Sequence, residues 1–230
     1  MKKPSKLLSA LTSLALAVFL VTTSVAVPIL WRGFYYGQID ALSLPARTGF
    51  SPEIIRGAFD EVMDYLVLDG PFGTGALPWS QEGMAHFADC KGLFRLDFIV
   101  LGLSALFLLL MLLLVWRKKV SLHRFLGRGP CAWAFFLMTA AVLVFGIWGL
   151  VDFESLFTAF HHAFFPGKTN WVFDYRADAI ILILPEDFWA RAAALVAGLA
   201  FGSGLLLTLL EALFSRRPKY KTVYEELKNQ

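Results

Sequence analysis

The chain has 230 residues, of which 57% are hydrophobic and 22 are phenylalanine. This composition lies outside the usual balance of a soluble domain and predicts an integral membrane protein. The formal net charge of only +3 gives no sign of the strongly basic surface used to bind nucleic acid, and we expect no nucleic-acid partner.

Four apolar runs are each close to the roughly 20 residues that a helix needs to cross the hydrocarbon core. They are residues 7–30, 98–116, 131–151 and 188–214. We therefore predict an all-α membrane protein, residues 1–230 forming one membrane domain with four transmembrane helices. The first run could also be read as a secretory signal peptide. Its length and the anchor-like Trp31, Arg32, Tyr35 and Tyr36 after it favour an uncleaved helix.

Basic residues precede the first run, separate the second from the third, and follow the fourth. By the positive-inside rule, these segments face the cytoplasm, so both termini are predicted to be inside. The cytoplasmic parts would be a loop at 117–130 and a tail at 215–230. The two other connections, 32–93 and 152–187, are predicted to be extracytoplasmic loops that together form a small cap.

An amphipathic helix is predicted within the first of these loops, over residues 51–70. Ser51 is a typical N-cap, Pro52 suits the first helical position, and apolar residues recur at helical spacing from Ile55 onward. In the second loop, residues 171–175 and 179–186 have the composition of short β-strands bounded by turn formers. The predicted cap therefore combines one amphipathic helix with short strands.

The segment 81–97 is predicted to lead as a helix directly into the second span. Asp89 follows His86 by three residues and lies on the same helical stripe. A carboxylate so placed can accept one imidazole N–H, which fixes the tautomer and leaves the other nitrogen as a base. From this local pattern alone, His86 could equally be a solvated histidine at the interface.

Two adjacent histidines follow the third span, in a run of phenylalanines. If residues 152–165 are helical, His161 shares the aromatic face, whereas His162 is turned about 100° away. Because adjacent helical positions do not readily chelate one ion, a metal pair is disfavoured. A metal site formed by His86, Asp89 and one of these two histidines stays a weaker alternative, and His161 could also be a packed core histidine.

The two cysteines, Cys90 and Cys131, fall near opposite membrane surfaces, so we expect neither a disulfide nor a zinc site. His86 and His161, by contrast, come from different loops at the same lipid–water boundary. Two imidazoles there could serve as general base and general acid in acyl transfer, because their ordinary pKa lies near working pH.

Several blocks of the sequence together resemble the bacterial lipoprotein intramolecular transacylases, the Lit family of small four-span membrane proteins. The blocks are HFADCKGLF (86–94), FDEVMDYLV (59–67), FHHAFF (160–165) and NWVFDYRADAIILILPEDFW (170–189). There are two departures from the family pattern. Cys90 stands where an aliphatic residue is expected, which should matter little to catalysis, and Phe-Asp-Tyr-Arg replaces an Asp-Pro turn, which leaves the shape of that loop open.

The resemblance implies transfer of an acyl chain from the sn-2 ester of an S-diacylglyceryl lipoprotein to the α-amine of its N-terminal cysteine. The product is the N-acyl, S-monoacylglyceryl lyso-form. Implied partners are such lipoproteins, as substrate, and membrane lipid, with the site at the outer leaflet of a bacterial cell membrane and with no metal or cofactor. The implied catalytic residues are His86 and His161, with Asp89 in support. Second-rank candidates for substrate contacts or loop structure are Lys91, Asn170, Trp171, Asp174 and Asp178.

Two other functions are compatible with parts of this pattern. A small transporter should carry polar residues near the middle of its spans, but here the spans are almost free of charge and only Glu211 lies deep in the last one. A non-catalytic assembly subunit would use the outer loops as a docking surface. The residues alone do not distinguish this second alternative from an enzyme.

Overall fold

A computed structural model describes residues 3–215 of the protein. In this part of the chain the regular structure is helical and contains no β-sheet, which confirms the all-α prediction. The helices are α1 (Lys6–Leu30), α2 (Arg32–Ala41), α3 (Leu44–Thr48), α4 (Pro52–Leu68), α5 (Gln81–Trp116), α6 (Pro130–Val151), α7 (Phe153–Phe164), α8 (Ile180–Ile183) and α9 (Glu186–Ser215). Apart from Ser215, the predicted tail at 215–230 lies outside the described residues.

Four of these helices, α1, α5, α6 and α9, are long and apolar enough to cross a membrane, as predicted. Helix α1 packs against each of the other three, and α6 also packs against α9. Small buried side chains on α1, such as Ser13 and Ala17, allow the neighbouring helices to approach closely. The hydroxyl of Ser13 is satisfied within the helix, because it donates to the Ser9 carbonyl at 2.9 Å. Helix α1 is therefore the centre of the bundle.

At the end of the bundle where α1 begins, the loop between α5 and α6 packs onto α1. The Ser9 hydroxyl donates to the His123 carbonyl at 2.9 Å. Helix α6 also begins here, and both oxygens of Glu211 accept from its first amides, those of Cys131 and Ala132, at 3.4 Å. Because a carboxylate is stabilised at a helix N-terminus, capping accounts for Glu211 without an ion pathway through the bundle.

The opposite end of the bundle, where α1 and α6 finish, carries a cap formed by α2, α3, α4, α7 and α8. Helix α4 begins as predicted, with the Ser51 hydroxyl accepting from the Ile54 amide, and it ends at Asp69 in a left-handed conformation (φ 60°). Its apolar face is buried, which confirms an amphipathic helix. The buried residues of that face are Ile55, Ala58, Phe59, Val62, Met63 and Leu66.

Tyr35 lies in the middle of the cap instead of at the membrane surface. The prediction of an interfacial anchor is wrong for this residue, because its side chain is only 1% exposed. The ring stacks on Phe59 with 3.7 Å between centroids, and the hydroxyl donates to the Ile183 carbonyl at 2.9 Å. This hydrogen bond joins the first loop to the second.

The two predicted strands of the second loop are wrong. Residues 171–175 form irregular turns, and the apolar run within 179–186 contains the short helix α8. A short apolar run has no periodicity that separates a buried strand from a buried helical turn. Here Ile180 and Ile183, three residues apart, are both buried in the cap, which is the spacing of one helical face.

Helices α5 and α7 place the candidate histidines in the cap. The 36 residues of α5 correspond to about 54 Å, well over the roughly 30 Å of a hydrocarbon core, so its first turns project from the bundle, as predicted. Helix α7 is separated from α6 by a break at Asp152, whose carboxylate accepts from the Ser155 amide at 2.9 Å. The residues predicted as a continuation of the third span thus form their own helix.

Candidate active site

His86 and His161 lie next to each other in the cap, although they belong to different loops. Their ring centroids are 5.7 Å apart, and the two residues are only 6% and 7% exposed. Each ring is surrounded by aromatic side chains. At this separation both imidazoles can contact the same small reacting group.

The contacts of His161 determine which of its nitrogens carries the proton. Its Nδ1 lies 2.7 Å from the carbonyl oxygen of Phe157, and because a carbonyl only accepts, Nδ1 must be the donor. The lone pair of neutral His161 is therefore on Nε2. The ring packs between Phe157 and Trp171, with centroids at 4.1 and 4.7 Å, and this burial lowers the pKa of His161.

His86 is held in a comparable aromatic setting, with Phe165 and Phe173 at 5.1 and 5.4 Å between ring centroids. Its Nε2 lies 3.4 Å from Sγ of Cys90. Its Nδ1 is buried and has no hydrogen-bond partner among the described residues. Burial, reinforced by the neighbouring His161, lowers the pKa of His86 to about 4, so both imidazoles are neutral at neutral pH.

His162 points away from this pair, as helical geometry predicts. It is exposed, and its ring is perpendicular to the Trp171 indole, with 5.7 Å between centroids. The two adjacent histidines therefore have different environments, one inside the aromatic cluster and one outside it.

The carboxylate of Asp89 does not bind His86, and the predicted hydrogen bond between them is wrong. One oxygen accepts from the Lys168 ammonium at 2.5 Å and the other from the Asn170 side-chain amide at 3.1 Å. A charged amine is a stronger donor than a neutral imidazole, so the carboxylate turns toward the loop after α7. Asp89 thus connects that loop to α5, and the same oxygens are not directed at the histidines for a shared metal site.

Lys168 is the residue of this site that the sequence reasoning missed. The available signal was its position directly after the Pro-Gly turn that ends α7. A tight turn keeps the residues that follow it close to the end of the helix, and α7 carries His161. Two residues on, Asn170 contributes its amide to Asp89, and its Oδ1 is buried with no partner among the described residues. Trp171 donates its indole N–H to the Lys168 carbonyl at 3.0 Å, which holds the indole over His161.

Asp178 and Asp174 stabilise the backbone around the site. Asp178 is buried and accepts from the Ser80 amide and hydroxyl at 2.8 and 2.7 Å. Ser80 is the N-cap of α5, so Asp178 holds the start of the helix that carries His86. Asp174 accepts from the Arg176 amide at 3.0 Å and shapes the turn before α8.

Lys91 lies on α5 next to the end of α4. Its ammonium binds Asp69 at 2.6 Å and sits 4.3 Å from the centroid of the Tyr65 ring. Arg95, one turn further along α5, binds the same carboxylate. These contacts attach α4 to α5, and they pair the Lys91 ammonium with a carboxylate of the cap.

Comparison with known proteins gives a match to one family model and a similar fold among solved structures. The family model described as "Lipoprotein intramolecular transacylase Lit" matches residues 10–189. A solved structure of the membrane integral lipoprotein intramolecular transacylase Lit from Bacillus cereus has a similar fold, with a TM-score of 0.80, 22% identity, and 97% of each chain covered. Structures of two histidine-substituted forms of that protein match with TM-scores of 0.76 at 22% identity. They cover 97% and 91% of this chain and 94% of theirs. No protein of curated function matches this sequence.

Replacing Asp89 by Ala should loosen the loop after α7 without unfolding the bundle. We expect amide hydrogen exchange over residues 166–173 to become up to about fivefold faster, the effect of losing a partly exposed ion pair of about 0.2–1 kcal/mol. Asp64→Ala is the matched control, because Asp64 pairs with Arg32 elsewhere in the cap. Unchanged exchange in the Asp89 variant would show that this carboxylate does not hold the loop.

Proposed function

The chain belongs to the lipoprotein intramolecular transacylase family, and from this premise we propose that it converts diacylglyceryl lipoproteins into their lyso-form. An acyl chain would leave the sn-2 ester of the S-diacylglyceryl group and join the α-amine of the N-terminal cysteine in the same lipoprotein. The observation that carries the proposal is the pair of buried, neutral imidazoles 5.7 Å apart.

The reaction requires that one proton move as one bond is exchanged for another. The amine nitrogen forms a bond to the ester carbonyl carbon, the bond from that carbon to the sn-2 oxygen breaks, and the amine proton ends on the departing oxygen. His161 is suited to carry this proton, because its Nδ1–H is held by the Phe157 carbonyl and its lone pair is therefore on Nε2. Nε2 takes the proton from the attacking amine and returns it to the leaving oxygen.

The role of His86 is to stabilise the negative charge that develops on the carbonyl oxygen. A neutral imidazole can donate a hydrogen bond to such an oxygen without carrying a charge itself. The depressed pKa of His86 keeps it in this neutral form. Because donor ester and acceptor amine belong to one molecule, the enzyme mainly has to hold them together and manage the proton.

The surroundings of the two rings fit a lipid substrate. Phe157, Phe165, Phe173 and Trp171 surround the histidines with apolar surface, which excludes water that would otherwise hydrolyse the ester. The chain segments at the end of the bundle opposite the cap are basic. By the positive-inside rule that end would face the cytoplasm and the cap would lie outside. The site then meets lipoproteins anchored in the outer leaflet of a bacterial cell membrane.

The function is tested by weighing the N-terminal lipopeptide of a reporter lipoprotein from bacterial cells with and without this protein. The two lipid forms have the same acyl mass, so fragmentation must distinguish the N-acyl, S-monoacylglyceryl peptide from the S-diacylglyceryl peptide. We expect the N-acyl form only in cells that contain the protein. An S-diacylglyceryl peptide in both cell types would contradict the proposal.

Substitution of either buried histidine should reduce the reaction strongly. We expect His86→Ala and His161→Ala each to lower kcat by about 10²–10⁴-fold, the usual contribution of a positioned acid or base. His162→Ala is the matched control, since this adjacent histidine is exposed, and it should keep near-normal activity. Full activity in either buried-histidine variant that still folds would leave the reaction in place but remove this mechanism.

The pH dependence of kcat should report the burial of His161. Burial lowers the pKa of His161. The wild-type ring therefore stays neutral when the pH falls to the ordinary histidine pKa of about 6.5. Trp171→Ala exposes the ring and should raise this pKa, so that protonation reduces kcat at higher pH than in the wild type. Profiles normalised to their maxima should therefore separate on the acid side, whereas Trp171→Phe should stay near wild type. Superimposable profiles for Trp171→Ala would contradict the assignment of His161 as base.

A further inference from the structure

Cys90 lies one helical turn after His86 on α5, and its Sγ is 3.4 Å from the His86 Nε2. The resemblance implies an aliphatic side chain at this position and little effect of the departure on catalysis, but here the thiol contacts one of the two candidate histidines. Burial raises the pKa of the Cys90 thiol to about 12, and the sulfur therefore keeps its proton at neutral pH. The thiol is thus available as a donor and is unsuited to act as a nucleophile.

The direction of the contact follows from the chemistry of the two groups. A protonated thiol has one proton to give and only a weakly accepting sulfur, whereas an imidazole lone pair is a good acceptor. This chemistry favours the S–H of Cys90 as the donor and Nε2 of His86 as the acceptor. A neutral imidazole has a single N–H, so the His86 proton must then be on Nδ1.

The environment of Nδ1 shows that this atom has no partner within the described residues and is left for a substrate group. His86 is 6% exposed, and its Nδ1 is buried with no hydrogen-bond partner among the described residues. A buried polar group without a partner is unfavourable, and in native proteins such a group usually has a functional explanation. An N–H in this position is satisfied when a substrate carbonyl oxygen arrives.

We propose that Cys90 is a positioning residue that holds His86 in its Nδ1–H tautomer and so supplies the hydrogen-bond donor for the substrate carbonyl. The inference rests on the proposed function and deepens it, because it assigns different tasks to two chemically identical rings. His86 accepts from Cys90 four residues later and presents an N–H. His161 donates to the Phe157 carbonyl four residues earlier and presents a lone pair.

The hydrogen bond itself can be tested without any activity measurement. The chain has two cysteines, so in a Cys131→Ser background the infrared S–H stretching band reports Cys90 alone. We expect this band to move to the frequency of a free thiol in His86→Ala and to stay in place in His161→Ala. A band that is the same with and without the His86 ring would overturn the proposal.

If His86→Ala does not fold, nitrogen-15 NMR of labelled histidines provides the same test on folded protein. Wild-type His86 should show the Nδ1–H tautomer, and Cys90→Val, which keeps an apolar side chain of similar size but no donor, should lose that preference. An Nε2–H tautomer in the wild type would overturn the proposal. Both spectroscopic results hold whether or not the protein acts on lipoproteins, so they separate a failure of this inference from a failure of the proposed function.

The consequence for the reaction is tested with the same variant. Cys90→Val should lower kcat by about two- to tenfold, the effect of one hydrogen bond, while KM changes less. Cys90→Ser, which retains a donor, should recover activity. Cys131→Val is the matched control, because this cysteine lies at the other end of the bundle, and it should behave as wild type. A kcat for Cys90→Val equal to that of this control would overturn the role assigned to Cys90.

Discussion

The structure of the site depends on the contact between Asp178 and Ser80, because this contact determines where α5 begins. The Asp178 carboxylate accepts from both the amide and the hydroxyl of Ser80. It lies so close to Gly83 that a Cβ there would be 2.1 Å from its Oδ1, so any side chain at this position would displace the carboxylate. Each residue of a helix turns about 100°, and a shift of one residue at this start would rotate His86 out of the aromatic cluster.

Two further contacts between the loops keep the histidines together. Tyr35 binds the carbonyl of Ile183 from within the first loop, and Asp89 binds Lys168 and Asn170 from α5. The first contact is deep in the cap and the second is beside the rings. The two histidines are therefore held at their separation by protein contacts, and a substrate does not have to bring them together. The proposed reaction would benefit from this preorganisation, because proton transfer requires groups held at a fixed separation.

The sequence predicts the features that are determined within a single segment, and it does not predict those that depend on packing between segments. The four spans follow from length and hydrophobicity, the start of α4 from Ser51 and Pro52, and the divergence of His161 and His162 from the helical repeat. The partner of Asp89, the burial of Tyr35 and the helical turn at α8 depend on which loop packs against which. No spacing within one segment carries that information, and Asp89 shows it most clearly: Lys168, from the other loop, replaced the neighbouring histidine as its partner.

The low polarity of the cap also limits which acid–base chemistry the histidines can perform. An imidazolium in this aromatic setting would lose hydration without gaining an adjacent carboxylate, because both oxygens of Asp89 are engaged by Lys168 and Asn170. Two imidazolium ions with 5.7 Å between ring centroids would in addition repel each other. The two rings are therefore not expected to be imidazolium ions at the same time. That constraint favours a single ring that shuttles the proton, with the second ring acting through a neutral N–H.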